Sequence, residues 1–384
     1  MLPAFARPKH EVVEKRTAAE REWAETCALN FIEDNGAKTG VIVAGSTYKY
    51  AKEALGDTVN YLKLGVVNPL PVEKIRSFAA GLETVYVIEE LDDIIESHCK
   101  KIGVPVIGKD VFPRCGEFSQ KLIAEKLGLP RGGSAAVEES IPVRPPVMCC
   151  GCPHRGLFYA LKREGAYVSG DIGCYTLGAS APLGAMDACI CMGASVSALH
   201  GYNKARGPEA EKKSVAVIGD STFAHSGITS LIDIAYNRSN SVVIVLDNSI
   251  TGMTGHQQNP TTGFNIKGEP AAAVDLEALC HAIGIRRVTV VDPYDLQQVM
   301  AALKEELAAE EPSVIISRRP CALLKYVKHN PPLSVDQDKC IGCKACLGIG
   351  CPAISYRDGK AIIDSTQCVG CGVCKGLCPK QAIG

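Results

Sequence analysis

The chain has 384 residues, 46% hydrophobic and 22% charged, with a formal net charge of −1. This is an ordinary globular composition for two to four domains. The near-neutral charge offers nothing to nucleic acid or an anionic membrane surface, and no apolar run approaches the roughly 18 residues that span a bilayer.

The first residues are too short and interrupted for a signal peptide, so a cytoplasmic chain is expected. Cysteine is the departure. There are 19, eight of them between Cys340 and Cys378. In a reducing compartment such density points to metal or catalysis rather than disulfides.

In chain order, residues 1–38 carry charged helix formers with Val12, Val13, Trp23, Cys27, Leu29 and Phe31 spaced along one face. They read as a helical arm, with Trp23 as a core or interface anchor. Residues 39–130 alternate strands (41–45, 61–64, 84–89) with helices (48–55, 72–80, 91–101), an α/β domain on a parallel sheet. Ala44-Gly45-Ser46-Thr47 lacks the Gly-Lys-Ser/Thr ending of a phosphate loop and reads as a tight turn with a helix cap. Residues 131–147, rich in Pro, Gly, Ser and Glu, form a linker.

Residues 148–325 make the central domain. Cys149-Cys150-Gly151-Cys152 leads into a helix, and a strand at 167–169 feeds the small-residue loop around Gly173. The next helix opens on Gly193, Ala194 and Ser195, which permit close backbone approach. Two β-branched runs, 215–218 and 242–246, end in Gly219-Asp220-Ser221 and Asp247-Asn248-Ser249-Ile250. With a helix between them they form one right-handed strand–helix–strand unit. Ligands of such sheets bind where the strands end. Asp220 and Asn248, 28 positions apart, supply oxygen donors suited to Mg²⁺ and a diphosphate. The bland alternative is a strand-end Asp capping the next helix. A long polar loop at 251–270 follows, then strand 287–291, helix 296–307 and strand 313–317.

After a second linker, 326–336, residues 337–384 are a cysteine-dense domain of their own. Cys340-x2-Cys343-x2-Cys346-x4-Cys351-Pro is followed by Cys368-x2-Cys371-x2-Cys374-x3-Cys378-Pro. Paired runs of this kind signal a small α+β bacterial-type 2[4Fe-4S] ferredoxin module, the fourth cysteine of each run serving the other cluster. Cys340, Cys343, Cys346 and Cys378 are assigned to one cubane, and Cys368, Cys371, Cys374 and Cys351 to its partner. The extra residue before Cys351 requires a bulged loop. Zinc sites use paired CxxC units instead.

The Asp220/Asn248 pair resembles the thiamine-diphosphate motif, with Ser221 where Gly is usual. By that resemblance Asp220, Asn248 and the Ile250 carbonyl ligate Mg²⁺, and Gly173, Gly193, Gly219 and Ser221 border the cofactor. The segment 39–130 looks like the carboxyl-terminal domain of transketolase-like enzymes, and the domain at 148–325 like their thiamine-binding doubly wound parallel sheet. The ordered series CCGCPHRG, GDIGCYTLG, CMGAS, GDSTFAHSGI, LDNSITGMTGHQ and the terminal ferredoxin resembles the α subunit of the indolepyruvate:ferredoxin oxidoreductases over residues 39–384.

The resemblance implies oxidative decarboxylation of a 2-oxoacid to acyl-CoA and CO₂, with coenzyme A as co-substrate and electrons passed singly to ferredoxin. It also implies a third [4Fe-4S] on Cys149, Cys152, Cys174 and Cys321, against buried free thiols as the alternative. His225 is the favoured catalytic histidine. His154 stands open between a substrate role and a bond within the fold, and His256 is weaker. The expected partners are the β subunit and a polypeptide carrying the amino-terminal pyrimidine-binding domain with its activating glutamate, since nothing before Thr39 is long enough to be that domain. A non-catalytic electron-transfer subunit, or another 2-oxoacid such as pyruvate or 2-oxoglutarate, are the competing readings.

Overall fold

The computed structural model describes residues 2–130 and 140–384, which fall into two compact units dividing after Ile141. The greater part of the 131–147 linker lies outside the described residues; 140–147 carries no helix or strand. Among the described residues no helix is long and apolar enough to cross a membrane.

The first unit begins with the helix Pro3–Thr26, which buries only Ala24. Trp23 is 53% exposed, so it is no core anchor of this unit. The arm also contains a short strand the sequence does not announce. β1 (Phe31–Glu33) adds antiparallel to β3 (Asn60–Leu64), which runs parallel to β2 (Thr39–Ala44), itself parallel to β4 (Thr84–Ile88). Two of the three β1 residues are exposed, and an edge strand of three residues leaves little periodicity to read. Alternate β2 residues point to opposite faces, as strand geometry requires. Ile42 packs with Leu62, Val85 and Val87, while Val41 and Val43 pack with Tyr61 and Ile88. At the Gly45-Ser46 turn the expected side-chain cap is not made; the amides of Lys49 and Tyr50 bond the Ser46 carbonyl instead.

The second unit is built on a six-stranded sheet. In space the order is β6 (Ala188–Cys189), β5 (Tyr167–Gly170), β7 (Ser214–Gly219), β8 (Val242–Asp247), β10 (Ser313–Arg318) and β9 (Arg287–Val291), every pair parallel. β7 and β8 are buried at all twelve positions, as a sheet covered on both faces demands. Val215, Val217, Val242, Ile244 and Leu246 face the helices His154–Glu164 and Leu296–Ala308. Ala216, Ile218, Val243 and Val245 face Ala194–Arg206, Ile228–Tyr236 and Leu276–Ile283. This is a doubly wound arrangement. The helix Leu276–Ile283 does not stand out in the sequence reading, although Asp275 caps it by accepting the Glu277 and Ala278 amides.

The cysteine-rich segment, with its hairpin β11 (Ile354–Arg357) and β12 (Lys360–Ile363), belongs to this same unit. Its core of Cys346, Ile349, Val373, Cys374 and Ile383 takes in Tyr159, Tyr294 and Leu296 of the sheet domain. It is packed onto that domain rather than tethered beside it.

Two glycines of this unit make opposite predictions. A Cβ on Gly156 would stand 1.9 Å from the Pro293 carbonyl oxygen, whereas one on Gly201 would meet nothing within 4 Å. Gly156→Ala is expected to lower unfolding stability by about 1–3 kcal/mol through overpacking. Gly201→Ala, inside a helix, should raise it by up to about 1 kcal/mol. Denaturant titration of both variants checks the pair.

Candidate functional site

Four adjacent strands of the second unit end on the same side, and the chemistry-bearing residues follow those ends. β5 runs into Asp171, Gly173 and Cys174; β7 into Asp220; β8 into Asn248; β10 into Cys321. The last two loops are tied together, because the Cys321 amide donates to the Asn248 carbonyl at 2.9 Å.

A cavity of about 80 Å³ is lined by Gly173, Gly219, Asp220, Ser221, Asn248 and Ile250, together with His154, Cys174 and Tyr175. Asp220 is 2% exposed and forms no ion pair among the described residues. Burial pushes its carboxyl up to about 7, opposed by the Ser221 amide, with the Asp247 carboxylate adding to the rise. A buried carboxyl in that condition gains its ionised form when a cation joins it, and hard oxygen donors suit Mg²⁺. The donor set therefore fits a magnesium-held diphosphate. Ser249, with φ +58°, turns the β8 loop back into the cavity rim.

Several residues that the sequence did not single out hold this cavity in shape. From the long loop, Asn259 Nδ2 and Thr261 Oγ1 donate to Asp220 Oδ2 at 3.3 and 3.4 Å. The Tyr175 hydroxyl accepts the Gly219 amide at 2.9 Å and donates to the Ile172 carbonyl at 3.0 Å. Asp171, fully buried, accepts the amides of Ile172, Gly193 and Ser195. Only the Asx-prone composition of the loops hints at these roles. Gly193 belongs to this scaffold: it is buried with φ +87° and its amide goes to Asp171, and it does not line the cavity.

The histidine order changes. His225 lies in the π-helical turn Phe223–Gly227, is exposed, and lines neither this cavity nor its neighbour. His154 is 4% exposed, packs edge-on against Tyr175 with ring centroids 5.8 Å apart, and lines both. Proximity in sequence to Asp220 misleads because the π turn carries His225 past the cavity.

The neighbouring cavity, about 260 Å³, is lined by Cys149, Cys152, Cys174 and Cys321, with His256 at its edge. The His256 Nε2 stands 4.0 Å from Cys321 Sγ. Burial pushes the Cys152 thiol up to about 12 and raises Cys174 and Cys321. Four thiols drawn from three loops converge on one void. The two cavities share His154, Cys174, Asn248, Gly252 and Met253 as a common wall.

In the cysteine-rich segment, Cys340, Cys343, Cys346 and Cys378 line a third, small cavity. Cys374 is within electrostatic reach of Cys351, Cys368 and Cys371. Backbone amides point at sulfur here: Ala361 and Gly342 hold the Cys340 thiol below its usual range, and the Ala382 amide donates to Cys378 Sγ at 3.2 Å. The extra residue before Cys351 is taken up by the 3₁₀ turn Ala345–Ile349, closed by Gly350 with φ +67°. Among the described residues no three His, Cys, Asp or Glu stand close enough to hold a single metal ion. A cubane spreads its ligands around several irons.

Residues 171–317 match the family model of the thiamine pyrophosphate enzyme C-terminal TPP binding domain, and 361–384 match the 4Fe-4S binding domain. The curated proteins named indolepyruvate oxidoreductase subunit IorA are similar throughout. That of Pyrococcus horikoshii is 39% identical over 98% of this chain and 65% of its own length. That of Thermococcus kodakarensis is 38% identical over 99% and 66%, and that of Archaeoglobus fulgidus 36% over 100% and 65%. The chain thus spans about 65% of the length of these relatives. A 2-oxoglutarate:ferredoxin oxidoreductase from Magnetococcus marinus, solved with 2-oxoglutarate, coenzyme A and succinyl-CoA, superposes with TM-score 0.42 at 18% identity, over 48% of this chain and 67% of that one.

Burial lowers the His154 imidazole to about 4. The folded chain therefore binds fewer protons than the unfolded one between pH 4 and 6.5, and this contribution to stability is lost as pH falls through that window. Thermal unfolding between pH 7 and 4 should show His154→Phe losing less stability than the wild type, by up to roughly 3 kcal/mol.

Proposed function

We propose, on the premise that this chain belongs to the family of indolepyruvate oxidoreductase subunits, that it is the thiamine-diphosphate-binding and electron-relaying part of a 2-oxoacid:ferredoxin oxidoreductase. The observation that carries this reading is the shared wall: an oxygen-donor cavity and a four-thiol cavity meet at the ends of neighbouring strands. Thiamine diphosphate, when bound, supplies a nucleophilic carbanion and an electron sink for decarboxylation of a 2-oxoacid.

The chain's own residues divide the work. Asp220, Asn248 and the Ile250 carbonyl hold Mg²⁺, while Asn259 and Thr261 orient the Asp220 carboxylate. Tyr175 fixes the Gly219 turn against which the diphosphate lies. His154, uncharged at neutral pH, stands where a proton is held between the two cavities. Cys149, Cys152, Cys174 and Cys321 bind one [4Fe-4S] cluster beside the cofactor. The carboxyl-terminal segment binds two more, the first on Cys340, Cys343, Cys346 and Cys378 and the second on Cys351, Cys368, Cys371 and Cys374.

The substrate is an aryl 2-oxoacid such as indolepyruvate, the acyl group passes to coenzyme A, and ferredoxin takes the electrons in the cytoplasm. An 80 Å³ cavity is small beside the few hundred Å³ of ordinary small-molecule clefts. The remaining wall, with the activating acid, comes from outside these 384 residues within a multi-subunit enzyme, which includes a β subunit.

Two measurements check this. Asp220→Ala should abolish Mg²⁺-dependent binding of thiamine diphosphate in calorimetric titration while leaving the iron content unchanged. If the wild type beside its partner subunits has no affinity for the cofactor, the enzymatic reading fails and only an iron–sulfur relay is left. Anaerobically prepared chain should carry about 12 irons, three cubanes of four, and Cys321→Ser should drop to about 8. A wild type that already holds about 8 removes the cluster beside the cofactor.

A further inference from the structure

Arg155 is 5% exposed and has no carboxylate within ion-pair distance among the described residues. Three partly buried arginines of this unit are paired with carboxylates: Arg287 with Glu306, Arg318 with Asp247, Arg319 with Asp292. The Arg155 guanidinium donates only to backbone carbonyls. Nε reaches Cys149 O at 3.1 Å, Nη2 reaches Met148 O, and Nη1 reaches Ile349 O at 3.2 Å and Gly350 O at 2.5 Å. A buried cation with no counter-charge costs several kcal/mol. Carbonyl dipoles satisfy its N–H groups but leave its net charge uncompensated.

What surrounds Arg155 is sulfur on two sides. Cys150 and Cys152 both feel its charge. The carbonyls it grips belong to the residue before Cys149, to Cys149 itself, and to the two residues before Cys351. The loop between them divides its side chains: Cys149 and Cys152 line the four-thiol cavity, whereas Cys150 lies in hydrogen-bonding reach of Cys351 and of the Ala353 amide. Gly151, with φ +65°, lets this happen; a Cβ there would stand 2.2 Å from Val369 Cγ2. The Gly151 carbonyl is held in turn by the Tyr294 hydroxyl at 2.5 Å.

We propose that Arg155 is the shared counter-charge of two iron–sulfur clusters, one in the Cys149/Cys152/Cys174/Cys321 cavity and one on Cys351/Cys368/Cys371/Cys374. With Cys150 it forms the junction through which electrons pass from the first to the second. The proposal rests on the cluster assignments made under Proposed function. A cubane held by four thiolates is an anion and becomes more negative on reduction, so a fixed buried cation favours the reduced form of both clusters. Burial and hydrogen bonds to the sulfurs set such potentials, and the Cys150 thiol adds one contact to Cys351 alone. In the transfer one electron leaves the first cluster and enters the second. No bond is made or broken, and Arg155 keeps its protons. Both are positioning residues.

The test is an EPR-monitored redox titration of the anaerobic, iron-loaded chain. Arg155→Gln is expected to lower the equilibrium constant for one-electron reduction of both clusters at least tenfold, a shift of 59 mV to more negative potential. Arg155→Lys keeps the charge and should hold both potentials close to the wild type. Cys150→Ala, at a half-buried position, should move the Cys351 cluster alone. Unmoved potentials in Arg155→Gln overturn the inference, as does a Lys variant displaced as far as Gln. Should Arg155→Gln fail to fold or load iron, Arg155→Lys decides: retained potentials support the counter-charge and a tenfold displacement sinks it. A wild type lacking the cluster beside the cofactor defeats the underlying reading instead, and its iron content of about 8 per chain makes that outcome distinct.

Discussion

The parallel direction of β5, β7, β8 and β10 is the constraint on which the rest depends. Parallel strands must all end on one side of their sheet, and each end opens a loop whose backbone amides and carbonyls need partners. Here four neighbouring ends supply Cys174, Asp220, Asn248 and Cys321 to two abutting cavities. Residues separated by up to 147 positions, from Cys174 to Cys321, share a void because their strands share a ladder. No loop-to-loop recognition is needed beyond that.

Buried polar groups then set the loops. Asp171 gathers two amides at the start of the helix Ala194–Arg206, Tyr175 pins the Gly219 turn, and Asn259 with Thr261 reach Asp220. These local hydrogen bonds are made within the fold, and buried polarity bonded in this way gives rigidity; the buried Ser195 hydroxyl alone in this group is left without a partner among the described residues. Asp220 and Arg155 are exceptions of opposite sign. One is a buried carboxyl raised to about 7, the other a buried guanidinium with carbonyl partners only. Buried charges without partners collect at functional sites because selection for stability alone would remove them.

The packing of the cysteine-rich segment onto the sheet domain follows the same logic. Tyr159, Tyr294 and Leu296 give it an apolar seat, and Arg155 ties the loop at Cys149 to the one before Cys351. An apolar seat with a charged bolt holds the two groups of thiols at a fixed separation.

Much of this was legible in the residues alone. Period-two and fully apolar runs marked β2, β7, β8 and β10, since side chains buried on both faces leave no alternative composition. The double cysteine run marked the cysteine-rich segment, part of which (361–384) matches the 4Fe-4S binding domain, because cysteine spacing is a local feature of the sequence. The edge strand β1 and the helix Leu276–Ile283 escaped, one for being too short and exposed to show a period, the other for following a long irregular loop. The histidine choice also required coordinates: His225 is five residues from Asp220 in sequence yet turned outward, while His154, 66 residues away, stands in the wall. Sequence determines what is encoded locally, namely strand and helix periods, ligand spacing and the donor types at each loop. Only the tertiary structure decides which loops meet, which carboxyl is left without a cation, and that one arginine lies between two groups of thiols. Those facts depend on strand order and burial, which no local window of residues contains.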